Sequence, residues 1–499
     1  MNLTKFQVIT FTLIAITGAF MAVMDTTIVD IIVPKLTGVL ATDMYGVQWI
    51  ITAYMLSAAI TLLISPFLIH NFGKHKVFLF ALSAFTLASF MCGISNSLEF
   101  MIFSRVIQGI GEALVMVTAH IMIFSYFPPE KKGIAMGIFA LGVAFAPAIG
   151  PTLGGYLVEY FNWRMVFFIN VPIGIVVVIA GIILLTKDNT EKKELNFKSF
   201  FALGISTLAL LIILSKGQQY GWFGSDFILW LSFISLVAFL FFIYFELNSN
   251  PLIEYHLFKN KDFTLGILIY FVILGFSMYQ YFYLLPVFYE HIKGLPSLDT
   301  GIGIFGFGVF IGVFSILAGI ASDKVGPKIV ILIGVLIYLV DTLYFIPKIN
   351  YYTPFMQAVI YTIPFGMAMG MFFAPVTVLV MNTAPKHTEQ ATMIMDYARF
   401  VGGSFGTAIA TNNLEFFKND MFLRMNENQD YLYVKSFIDS LPFDENIAKV
   451  VFGKYEMLMA TNYGFSNVFL NAGLFGLFGS IFVFLLFYKG RFSIINKRI

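Results

Sequence analysis

The sequence predicts an all-α polytopic membrane protein with 14 transmembrane helices, arranged as two six-helix bundles plus two extra helices. Three observations carry that reading. Of 499 residues, 59% are hydrophobic and only 12% charged, about half the charge of an ordinary soluble domain. Mean hydropathy is +0.85. Apolar runs longer than about 18 residues, enough to cross a bilayer core, recur along the whole chain. That composition excludes a soluble enzyme or a nucleic-acid-binding protein, and a net charge of +2 points to no polyanionic partner. The single cysteine, Cys92, lies in an apolar run and reads as a small packing residue.

In chain order, the first six spans are expected near 8–33, 46–69, 77–95, 99–126, 134–159 and 165–186. The first has only Lys5 ahead of it and no small-residue cleavage site behind it, so it is expected to be a retained helix and not a signal peptide. The next two, near 199–216 and 226–246, carry little that is polar and are expected beside the bundles. The last six follow near 263–289, 300–321, 329–348, 354–382, 391–414 and 463–488. The division expected is 1–186 for the first bundle, 187–262 for the extra helices and linkers, and 263–499 for the second bundle, with a long extracytoplasmic loop at 415–462.

Charge sets the orientation. If both termini are cytoplasmic, the inner segments hold 18 Lys and Arg and the short outer loops five, namely Lys35, Arg164, Lys216, Lys293 and Lys348. The internal repeat is stronger by hydropathy than by identity: of the residues after helix two, only Gly73 matches its counterpart in Gly319, Asp323, Lys324, Gly326 and Lys328 after helix ten.

A charged side chain in hydrocarbon costs about 2.5–3.5 kcal/mol on insertion scales, so each needs a partner, a wet cavity or a role. Those in the spans are Asp25 and Asp30 in helix one, Arg105, Glu112 and His120 in helix four, Asp341 in helix eleven, and Asp396 with Arg399 in helix thirteen. At 1.5 Å per residue, Asp25 and Arg105 lie roughly 12 and 9 Å below the outer ends of their helices, a matching depth. A buried pair there fits either a proton switch or a permanent packing contact. Glu112 falls near the midplane and is the best single candidate for a carboxylate that changes charge. His120 is expected at the cytoplasmic mouth. Asp396 and Arg399, three apart, are expected to pair along one helical face. Asp341 is expected to face an aqueous cavity, and Asp30 to reach water.

Helix five is dense in Gly142, Pro147, Gly150, Pro151, Gly154 and Gly155, the composition of a bendable, close-packed helix at a bundle interface. Helix nine clusters Tyr279, Gln280, Tyr281, Phe282 and Tyr283, which suits either a ligand-facing wall or an interfacial belt.

Met24-Asp25-Thr26-Thr27-Ile28-Val29-Asp30 with Pro34 resembles the helix-one signature of the fourteen-helix drug:proton antiporters of the major facilitator superfamily. Arg105, Gln108, Gly109 and Gly111 are similar to that superfamily's helix-four motif, whose arginine the resemblance implicates in proton coupling. The helix-five glycines and prolines resemble the antiporter motif. Asn162-Trp163-Arg164 followed by Phe168-Ile169-Asn170-Val171-Pro172-Ile173-Gly174 is similar to the segment entering helix six in EmrB-type exporters. Two departures stand out: His70 takes the place of the usual acid after helix two, and Asp30 that of the customary asparagine.

The resemblance implies a major facilitator fold and proton-coupled export of hydrophobic or cationic drugs and toxic compounds by alternating access. It implies a multi-pass protein of the bacterial inner membrane and, in double-membraned bacteria, a periplasmic adaptor and an outer-membrane channel as partners. An endogenous metabolite, such as a siderophore, lipid or amino acid, is the alternative cargo. Asp25, Arg105 and Glu112 are then expected to couple protons. Thr26, Gln108, Tyr279, Tyr283, Asp341, Asp396 and Arg399 are expected to line the substrate cavity. Gly73, Lys74, Asp323, Lys324 and Gly326, with the helix-five residues, are expected to serve gating and packing. The 415–462 segment, with Phe437, Ile438, Val450 and Val451, is expected to form short helices or a hairpin.

No cofactor or metal is expected. A membrane-embedded enzyme is disfavoured because the six histidines, at 70, 75, 120, 256, 291 and 387, are scattered along the chain. An ATP-driven pump is disfavoured because no phosphate-binding glycine loop occurs. A transport-dead receptor would leave the intramembrane acids without purpose.

Overall fold

The computed structural model describes residues 4–488 apart from 31, 43, 187, 189, 428–430 and 443. The described residues are overwhelmingly helical and contain no strand. Fourteen long helices form the body: α1 Lys5–Asp30, α2 Met44–Phe72, α3 Lys74–Ile94, α4 Leu98–Tyr126, α5 Lys132–Tyr160, α6 Met165–Leu184, α7 Phe197–Tyr220 and α8 Asp226–Asn248. They continue with α9 Lys261–His291, α10 Ser297–Val325, α11 Pro327–Lys348, α12 Phe355–Thr383, α13 Thr388–Glu427 and α14 Glu445–Leu485. Twelve are long and apolar enough to cross a bilayer. The other two, α5 and α13, are 29 and 40 residues long and pack between neighbours within the body.

Helices α1–α6 pack among themselves, as do α9–α14, and the two groups meet chiefly along α5 against α10 and α12, and α2 against α13. Helix α7 lies across the second seam: Ser215 bonds Thr52 of α2 at 3.1 Å, and Thr207 bonds Tyr397 of α13 at 2.5 Å. Helix α8 rests mainly on α7 and turns Trp230, Phe233 and Leu240 outward, the surface expected toward lipid.

The α5–α10 seam is close because glycines let backbones meet. A Cβ on Gly133 would sit 2.2 Å from the Gly319 carbonyl, and one on Gly301 would strike Thr152. On its other flank α5 presents Gly142 to Ile16 and Gly150 to Thr27, both on α1. Gly154 and Gly155 are also buried in α5, whereas the side chains of Pro147, Pro151, Pro34 and Asp30, and all of Lys187, lie outside the described residues.

Gly73 and Gly326 open α3 and α11 with nearly the same backbone, φ 87° and ψ 146° against φ 89° and ψ 148°. A side chain disfavours that conformation. The repeat that identity hardly reveals is therefore retained at a position where backbone geometry demands glycine.

Three boundaries depart from expectation. Helix α1 stops at Asp30, and the chain re-forms a short helix at Val33–Val39 with Pro34 in its first turn, where a missing N–H costs nothing. The 415–462 segment is mostly not a loop: α13 runs on to Glu427, a short helix spans Tyr431–Ser440, and α14 starts at Glu445. Phe437 of that short helix packs on Phe452 and Tyr455, ring centroids 5.4 and 6.0 Å apart, and pairs such as Arg424–Asp420 and Lys449–Glu445 line the polar surface. Third, α9 and α11 each contain a π-helical stretch, Tyr270–Ser277 and Asp341–Phe345.

Candidate functional site

Arg105 of α4 and Asp25 of α1 form an ion pair at 2.5 Å, with side chains 1% and 0% exposed. The pair is fully furnished. Gln108 and Asn170 both donate to Asp25 Oδ1, at 2.9 and 2.7 Å, while Arg105 occupies Oδ2. Arg105 also donates to Gln108 Oε1 and to the Ile50 carbonyl, and its guanidinium lies 4.0 Å from the centroid of the Tyr54 ring. Gln108 closes the set by donating to Ser89 at 2.8 Å. Five helices thus converge on one buried carboxylate, because small residues at Gly109 and Gly111 let α4 press on α2 and α3.

Glu112 follows Gln108 by one helical turn but has no hydrogen bond or ion pair among the described residues. It is enclosed by protein yet keeps partial accessibility. Arg399, Asp396, Asp25 and Arg105 are all near enough to act on it electrostatically.

Across the seam, α13 supplies the second charged group. Arg399 lies 3.7 Å from Asp396 one turn away and donates to the Tyr279 hydroxyl of α9 at 2.9 Å. His120 is not at a mouth as the sequence led us to expect. It is fully buried, stacked on Phe373 and tilted against Phe139, with Nδ1 3.6 Å from Asp396 Oδ2. Neither Asp396 oxygen has a well-formed hydrogen bond, which leaves acceptor capacity in the middle of the molecule.

Other expected cavity residues fall apart from this group. Asp341 is 0% exposed inside the second bundle, without a well-formed hydrogen bond to either oxygen, so it does not face the aqueous cavity expected of it. Tyr283 is 36% exposed and makes no hydrogen bond among the described residues. Thr26 is half-buried and bonds back to the Val23 carbonyl.

The loops after α2 and α10 differ in charge. Asp323 accepts from the Gly133 and Ile134 amides at 2.7 and 2.9 Å, capping the start of α5 across the seam. At the corresponding place in the first half, His70 lies 3.9 Å from Glu389 in the first turn of α13. The acid has moved from the loop to the helix it faces. Lys74 stays inside its own bundle, donating to Ser125, and Lys324 is exposed. Gly73 is crowded by Asp188, whose carboxylate accepts from the His75 amide.

Sequence reasoning missed Asn170, Tyr54 and Ser89 as partners of the buried pair. Asn170 carried the one usable signal, an amide within an otherwise apolar span. The contact of His120 with α13 left no trace in the sequence.

Two helix bundles enclosing buried, mutually facing charges across a central seam define a polytopic membrane transporter. The model of the Major Facilitator Superfamily matches residues 15–407, and the chain belongs to that family. It is a transporter of small-molecule substrates and not an enzyme. Among curated proteins, it is 30% identical over 405 residues to the uncharacterized MFS-type transporter YhcA of Bacillus subtilis, covering 80% of this chain and 75% of that one. It is likewise 30% identical over 418 residues to the multidrug export protein EmrB of Escherichia coli K12, covering 81% and 80%. Among solved structures, the MFS proton:xylose symporter XylE bound to 6-bromo-6-deoxy-D-glucose matches 97% of this chain and 96% of its own, with a TM-score of 0.62 and 14% identity. That likeness concerns the fold alone.

Proposed function

We propose that the protein exports hydrophobic or cationic small molecules from the cytoplasm in exchange for protons, by alternating access between its two bundles. The observation that carries this reading is the seam itself: Glu112 and His120 from α4 face Asp396 and Arg399 from α13. Charges that meet there must change partners whenever the bundles rock, which links protonation to conformation. Glu112, unpartnered and accessible, is where a proton or a cationic substrate is taken up in competition. Asp25, saturated by three donors, holds Arg105 two turns along α4 from Glu112 and responds when that arginine moves. The likeness to EmrB supports drugs as cargo, while the 29% identity over 427 residues to the riboflavin transporter RibZ of Clostridioides difficile keeps an endogenous metabolite as the second reading.

The membrane is the bacterial inner membrane. The face where α1 begins and α14 ends is the cytoplasmic one, because its loops hold the excess of Lys and Arg. The helical hairpin that joins α13 to α14 then stands outside, where an adaptor would dock.

The test is proton release driven by drug addition in proteoliposomes. Loss of release in Glu112→Gln supports the assignment. Unchanged coupling in both Glu112→Gln and Asp25→Asn overturns it.

A further inference from the structure

Histidines that are scattered in sequence come together in one place at the terminal face. Glu254 precedes and His256 lies within a short helical turn, Tyr255–Lys259, in the linker between α8 and α9, and His387 precedes the first residue of α13. Glu254 Oε2 lies 3.3 Å from His256 Nδ1, and Glu254 Oε1 lies 3.8 Å from His387 Nδ1. The two imidazole rings have centroids 4.9 Å apart at 71°. Ligand atoms of all three residues fall within 4.8 Å of one another.

We propose that Glu254, His256 and His387 bind a borderline transition-metal ion of the Zn²⁺ or Co²⁺ class. Ligands about 2.0–2.1 Å from a tetrahedral zinc stand roughly 3.4 Å from each other, so the group needs only small side-chain rotations, at an exposed His256 and the half-buried Glu254 and His387, to close on an ion. Two imidazoles and one carboxylate suit such metals and leave a fourth position for water, whereas Mg²⁺ and Ca²⁺ want an all-oxygen shell. The backbone under the ligands is already fixed. Gln390 of α13 donates to the Leu252 carbonyl at 3.1 Å, the Leu257 amide bonds the Glu254 carbonyl at 3.1 Å, and the His387 amide bonds Ala384 at 3.1 Å.

One local competitor is Lys193, 4.0 Å from Glu254 Oε1; it is 40% exposed and free to swing into water when a cation arrives. A bound ion would tie the linker from the extra helices to the start of the helix that carries Asp396 and Arg399. This inference is independent of cargo and of proton coupling.

The experiment uses full-length, tag-free protein in detergent. Equilibrium dialysis against Zn²⁺ is expected to give one ion per chain, and Co²⁺ to give the visible absorption of a tetrahedral site. The variant His256→Ala/His387→Ala should bind Zn²⁺ at least about 10-fold more weakly, the lower end of what losing even an outer partner of a ligand costs. His291→Ala, at the opposite end of α9 from the linker that carries Glu254 and His256, should bind like the parent and elute from size exclusion as the parent does. Equal Zn²⁺ binding by parent and double variant, no binding by the parent, or a preference for Mg²⁺ over Zn²⁺ overturns the proposal.

Discussion

His120 Nδ1 on α4 lies 3.6 Å from Asp396 Oδ2 on α13, so an imidazole of one bundle meets a carboxylate of the other with both side chains sealed from solvent. A contact that crosses the moving seam should show up as energetic coupling in transport. Singles His120→Gln and Asp396→Asn and their double mutant should give a cycle whose interaction energy in transport rate lies within about 0.5–3 kcal/mol, the range for residues in direct contact. Strict additivity would show that the two groups work independently.

The two acids of the first bundle should separate by stability. Asp25→Asn leaves Arg105 buried without its counter-charge, and breaking one half of a buried pair costs about 3–5 kcal/mol. Glu112→Gln breaks no hydrogen bond or ion pair among the described residues. Thermal unfolding in detergent should therefore fall clearly for Asp25→Asn and stay near the parent for Glu112→Gln, while proton coupling is lost in Glu112→Gln. A large loss of stability in Glu112→Gln would point to a packing role for that carboxyl.

The contrast between these acids marks how much was legible in the sequence. Span count and the Asp25–Arg105 match follow from hydropathy and helical rise, because both are one-dimensional properties of the chain. Asp396 and Arg399 were legible for the same reason, being one turn apart on one helix. The contact of His120 with Asp396 joins residues far apart in sequence and depends on how α4 and α13 are rotated about their axes, which no hydropathy pattern fixes. Depth alone put His120 near a mouth, but the aromatic rings of Phe139 and Phe373 close over it. The ends of α13 and α14 were misplaced because their polar continuations leave the hydrocarbon while the helices run on.

Backbone contact along α5 and α10 predicts a graded response to side-chain size. Gly319→Ala places its Cβ 2.3 Å from the Gly133 carbonyl, a clash with main chain that only separation of the helices relieves. Gly204→Ala in α7 meets nothing within 4 Å and removes a residue worth about 1 kcal/mol less than alanine in a helix. Melting temperature should fall for Gly319→Ala and hold or rise for Gly204→Ala, with transport impaired only in the first. Equal behaviour of the two would mean that the seam tolerates a wider spacing than the geometry allows.

Asp341 offers the sharpest separation of structure from function in the second bundle. It is fully buried at the head of the π-helical turn in α11 with no well-formed hydrogen bond to either oxygen. An unsatisfied buried polar group costs about 1–3 kcal/mol, so replacing it with an apolar group of similar size removes that cost. Asp341→Val is expected to raise the melting temperature. If the residue is only a packing defect, flux in proteoliposomes stays at the parental level. If the π-turn instead holds the acid for the transport cycle, flux collapses in a protein that has become more stable, a combination that no folding defect produces.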